Sequence, residues 1–182
     1  MDHLGYIHNI LDVKVLILYV MGLVQTPVSA QTIYELCYQD DSLSYFDVQM
    51  SVPQMVETGH LEQQGEDLYV ITEKGRDAGE VTWDGIAVAV RERATVAVEK
   101  YNKKQKRDQY LRSSLEELEN GECLVHMGLD DMSGPVMDLT ITAPNKSQAY
   151  RLEKAYREQA EAVHRAVMSV LLGKVKSSDT EN

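Results

Sequence analysis

Eleven side chains of this sequence have the types and spacing to bind something, and they fall into two groups. Ser44, Phe46, Asp47, Gln49, Met50 and Gln54 lie in one short run, SYFDVQMSVPQ. The Gln54 amide can pair with adenine in a major groove, and Gln49 or Ser51 can reach a flanking position. Phe46 and Met50 offer apolar surface of the kind that suits a protein partner. Lys100, Lys103, Lys104, Lys106 and Arg107 form the second group, in KYNKKQKR, where Tyr101 stands among cations. Such a run can track phosphates, although cations at a helix C-terminus also suit the helix dipole as plain solvated charge.

Catalytic chemistry finds no comparable set. His3, His8, His60, His126 and His164 are scattered, and no phosphate loop, nucleophile elbow or acid pair with a positioned histidine occurs. Asp130-Asp131 reads as a turn. Cys37 and Cys123 stand far apart, which predicts two reduced, partly buried thiols. Cys123 and His126 would point to opposite faces of a strand, so they make a poor zinc pair. The sequence therefore predicts a non-enzymatic protein with no metal and no cofactor.

Bulk properties narrow the partners. The chain has 182 residues and a formal charge of −11, which opposes nonspecific attraction to nucleic acid or anionic membrane. The apolar run Val13 to Val24 contains Lys14 and is too short to span a bilayer, which takes roughly 20 residues. It also lacks the basic leader and cleavage site of a signal peptide. A buried helix in a cytoplasmic protein is the expectation.

The elements that must position the two groups follow from caps, periodicity and breakers. A first helix starts at Asn9 or Asp12 and runs to about Leu23, apolar nearly all round. Thr26-Pro27 breaks it, and Val28 can add a short β-bridge. Ser29 caps a second helix that buries Ile33, Leu36 and Cys37 and ends near Gln39, before a turn at Asp40-Asp41-Ser42. Ser44 caps a third, with Val48, Val52, Met55 and Val56 inward and Tyr45 on the flank. Pro53 predicts that this helix is bent or that its regular part begins late.

Gly59 stops the helix, and Leu61–Gln64 and Leu68–Ile71 read as a hairpin around Gly65-Glu66-Asp67. Thr72 caps a further helix that Gly75 and Gly79 weaken. Residues 86–106 read as one long helix. Three strands follow, at about 109–118, 122–129 and 136–142, with turns at Asn120-Gly121 and Asp130 to Gly134. Lys146 to Leu172 is a last helix, and the tail from Lys174 frays. The expected domains are 1–80 and 81–182.

Helix, helix, helix, hairpin and capped helix is the order of a winged helix-turn-helix, here joined by a long helix to a three-stranded antiparallel sheet with a C-terminal helix. The fold class is α+β. With ITEKG at 71–75 closing the wing, this half resembles winged-helix regulators of the PadR and MarR type. The whole chain resembles an uncharacterised family of Gram-positive bacteria, described as a domain of unknown function with an N-terminal winged helix. KVLILYVM (14–21), YFDVQ (45–49), MVETGHLE (55–62), YVITEKG (69–75), NGECLV (120–125) and LTITAPNKSQAYRL (139–152) carry that likeness. The resemblance implies a cytoplasmic, homodimeric transcription factor and names no target.

Charge cuts across the shape. Residues 1–75 hold eleven acids against Lys14 and Lys74, a net of −9, whereas residues 91–112 hold eight cations against three acids, a net of +5. Wing residues Glu66 and Asp67 would be repelled by phosphate. The third helix turns Phe46, Asp47, Met50, Pro53, Gln54 and Glu57 outward, unless a bend carries Phe46 into the core. DNA and a protein partner both stay open for this face. The basic run can meet DNA, solvent or the acidic half of a second subunit. The second domain can serve dimerisation or enclose a ligand pocket, though no residue names a ligand.

Overall fold

The computed structural model describes residues 9–38 and 43–173. The turn expected at Asp40-Asp41-Ser42, His3, His8 and the tail from Lys174 lie outside them. Helices α1 (Ile10–Leu23), α2 (Ala30–Cys37) and α3 (Tyr45–Glu57) are followed by the hairpin β1 (Leu61–Gln64) and β2 (Leu68–Ile71). Next come α4 (Glu73–Thr82), a 3-10 turn at Trp83–Gly85 and the long α5 (Val88–Asp108). Strands β3 (Leu111–Glu117), β4 (Cys123–Asp131) and β5 (Gly134–Ala143) precede α6 (Lys146–Leu171). Packing divides the chain into two compact units, residues 1–104 and 105–182. The change of character near residue 80 thus falls inside the first unit, because α5 lends Val90, Ala94 and Val98 to that unit's core.

In the first unit α1 is buried on several sides, through Val13, Leu16, Ile17, Leu18, Val20 and Met21. Asn9 caps it, its side-chain oxygen accepting from the Leu11 and Asp12 amides. No helix among the described residues is long and apolar enough to cross a membrane. Asn102 of α5 closes the other end of α1: its amide donates to the Leu23 carbonyl at 2.9 Å and its oxygen accepts from the Gln25 amide. The hairpin pairs Leu61 with Ile71 and Gln64 with Leu68. Val28 adds the expected bridge, exchanging backbone bonds with Tyr69.

α4 is a regular helix in spite of its two glycines, and tertiary packing explains the first of them. Gly75 is buried so closely against β1 that a Cβ would overlap the His60 carbonyl, and Gly79 lies on Leu18 of α1. Gly75 lets α4 approach the start of the hairpin, whereas at Gly79 a Cβ would make only an ordinary contact.

In the second unit β3, β4 and β5 form an antiparallel meander with β4 central. The register sets Leu111 opposite Leu129 and Cys123 opposite Ala143, with an irregularity at Leu129/Asp130. Alternation turns Cys123, Val125, Met127 and Leu129 onto one face, where Ala149, Tyr156 and Ala160 of α6 cover them. Cys37 and Cys123 are both free and buried, and burial pushes the Cys37 thiol well above its ordinary pKa.

Candidate docking interface

Helix α3 begins where the sequence places it, because the Ser44 hydroxyl accepts from the Phe46 amide at 3.2 Å. Ser44 is thus a cap as well as an exposed residue. Val48, Val52 and Met55 are buried at helical spacing, and Ser51 joins them with no exposed surface. Ser51 cannot contact a flanking base, because it lies on the same stripe between Val48 and Met55. The helix starts well before Pro53 and continues through it. Proline's missing N–H leaves the Gln49 carbonyl without its usual intrahelical donor.

The opposite face of α3 is open. Phe46 is 75% exposed and Met50 62%, so no bend carries Phe46 inward. Pro53, Gln54 and Glu57 continue the exposed surface and Asp47 is half-buried. The Gln49 amide is engaged, donating to the Tyr45 hydroxyl at 2.8 Å. A row of rings runs from α2 to the start of α3. Tyr34 lies 5.4 Å from Tyr38 and 5.3 Å edge-on from Tyr45, which meets Phe46 at 6.3 Å. Tyr34 anchors the row by packing against the core.

Neither α2 nor α3 contains a lysine or arginine. Lys74, one of the two cations in residues 1–75, donates to the Thr58 carbonyl at 2.6 Å. There it complements the negative end of α3. In the wing, Gly65 has a φ of 69°, a left-handed conformation that favours glycine. Asp67 reaches the Ala30 amide at the start of α2, a long contact of 3.5 Å.

The basic group divides by role. Lys100, Lys103, Lys104 and Lys106 are exposed on the last turns of α5. Tyr101 packs on the core of the first unit and Asn102 caps α1. Arg107 is drawn into a two-bonded ion pair with Glu161 in the second unit, at 2.6 and 2.7 Å. Earlier on α5, Arg91 stacks on the Trp83 ring at 4.2 Å. Spacing alone shows neither engagement, since each partner is set by packing.

Hollows lie elsewhere as well. In the second unit the uncovered face of the sheet has a depression of about 500 Å³, lined by Arg112, Ser114, His126, Asp138 and Thr140 among others. Arg112 lies over Gly128 and binds both Asp130 and Asp138 at 2.8 Å, which holds the Asp130 carboxyl below its usual range. Its charge is therefore already answered. In the first unit, Leu18, Gly22, Leu23, Gly79 and Trp83 line a more apolar hollow of about 400 Å³. Among the described residues no group of three or more His, Cys, Asp or Glu side chains could hold a metal ion.

Residues 13–171 match the family described as "Domain of unknown function (DUF4364)", and the chain belongs to that family. No curated protein and no solved structure matches it.

Proposed function

We propose that this member of the DUF4364 family is a non-enzymatic, cytoplasmic regulator of transcription that binds DNA as a homodimer and needs no cofactor. The observation behind this reading is the winged-helix arrangement of α1, α2, α3 and the β1–β2 hairpin, in which α3 keeps one face exposed along its length. The order of elements and the Thr72 cap that opens α4 after the hairpin support this reading. Because α3 carries acids and no cation, most of the attraction to phosphate comes from Lys100, Lys103 and Lys104 on α5. Exposed Val167, Met168, Val170 and Leu171 on the last turns of α6 offer an apolar surface for self-association.

A fluorescence-anisotropy titration against genomic fragments at about 50 mM salt tests the reading where phosphate contacts are strongest. Binding is expected, with a salt dependence that falls by about 0.9 in log–log slope for each phosphate-contacting lysine replaced by alanine. Absence of binding at low salt, or binding indifferent to the lysine substitutions, sinks it.

One observation favours a second reading. Phe46 and Met50 present apolar side chains outward at 75% and 62% exposure on the helix that would enter a groove, and this is a surface for protein contact. In that case the winged helix is an interaction module.

A further inference from the structure

We infer that the outer face of α3 and the adjoining end of α2 form a docking site for an arginine-bearing amphipathic segment of a partner protein; this rests on the second reading above. The ring row Tyr38–Tyr34–Tyr45–Phe46 makes a continuous aromatic strip across the two helices. Tyr34 is rooted in the core, and the Gln49 amide pins the Tyr45 hydroxyl, so the strip is organised before anything binds. Met50, one helical turn after Phe46, extends it with a side chain that adapts to irregular shapes.

Charge selects the occupant. Glu35 on α2 and Asp47 on α3 stand next in sequence to Tyr34 and Phe46, and neither helix carries a cation. Glu57 continues the exposed face about two turns beyond Met50, at the end of α3 where Lys74 donates to the Thr58 carbonyl. Phosphate is disfavoured here. A guanidinium is favoured twice, by the carboxylates and by the faces of the rings. Apolar residues on the same segment would cover Phe46 and Met50, as an amphipathic helix covers an apolar groove. The exposed lysines of α5 remain available for DNA, so one molecule can hold both.

The test uses ¹⁵N-labelled full-length protein and three synthetic helices of about 14 residues, built from leucine with arginine, glutamate or glutamine. The leucine–arginine helix is expected to shift α3 amides between Tyr45 and Glu57 and to bind at least about tenfold more tightly than the glutamate version. Phe46→Ala with Met50→Ala should weaken that binding about tenfold or more, and both side chains are exposed enough to leave the fold intact. Asp47→Lys with Glu57→Lys should reverse the preference between the arginine and glutamate helices. If only the glutamate or glutamine helix shifts α3, the partner chemistry is wrong while protein docking stands. If no helix shifts α3 and a DNA duplex does, the docking reading itself is overturned. Shifts of α3 with protein concentration alone would assign the strip to a second copy and likewise overturn the proposal.

Discussion

Arg107 and Glu161, 54 residues apart in sequence, meet as a planar fork on a carboxylate, with Nε on Oε1 at 2.6 Å and Nη2 on Oε2 at 2.7 Å. Arg107 Nη1 also donates to the Arg157 carbonyl at 2.6 Å. The last turn of α5 is thereby tied to α6 within the second unit.

The pair is structural, and its loss should show as stability. With the side chains 30% and 42% exposed, solvent screens part of the interaction. Arg107→Ala is expected to cost about 1–2 kcal/mol in urea denaturation at neutral pH. Arg107→Lys should recover only part of it, since an ammonium cannot reproduce the fork. The hydrogen bond from Arg107 holds the Glu161 carboxyl below its ordinary 4.5. The stabilisation is therefore present above that value and lost as pH falls through the lower folded value. A cost of Arg107→Ala that does not shrink in acid would contradict this account.

The two glycines of α4 should respond in opposite directions. A Cβ at Gly75 would overlap the His60 carbonyl and press on the Ile71 side chain, so Gly75→Ala is expected to destabilise by about 1–3 kcal/mol. At Gly79 the nearest atom would be Leu18 Cβ at 3.5 Å, an ordinary contact. There, alanine's better helix propensity predicts a gain of about 0.5–1 kcal/mol. Thermal melts of the two variants check the contrast, and equal effects would refute it.

His60 should make part of the stability pH-dependent. Its pKa lies below the ordinary 6.5, first because burial disfavours the charged ring and then because Lys74 and Lys14 are near. The Thr58 hydroxyl and the His60 Nδ1 are 2.9 Å apart. Above 6.5 the ring is neutral in both folded and unfolded chains, and stability is flat with respect to this group. As pH falls below 6.5 the unfolded chain takes up the proton first, and stability declines until the folded value is passed. Urea midpoints measured between about pH 7.5 and 5 should show this decline. His60→Gln should flatten the part of the decline due to this ring.

Much of the architecture was legible because its causes are local. Ser29, Ser44 and Thr72 cap helices through bonds spanning two or three residues. Gly65 turns the hairpin between runs of alternating character, and the inward stripe of α3 repeats at helical spacing. Ser51, expected at a flanking contact, lies on that stripe three residues after Val48 and four before Met55.

The sequence by itself determined the winged-helix order, the sheet with its covering helix, the acidic first half and the basic end of α5. Those follow from propensity, capping and composition, which act over one or two turns of chain. Only the tertiary structure decided that Gly75 serves close packing, that Phe46 stays in solvent at the end of a row of three tyrosines, and that Arg107 is bound to Glu161. Each of these depends on which distant side chains packing brings together. The spacing of residues along the chain sets no such distance.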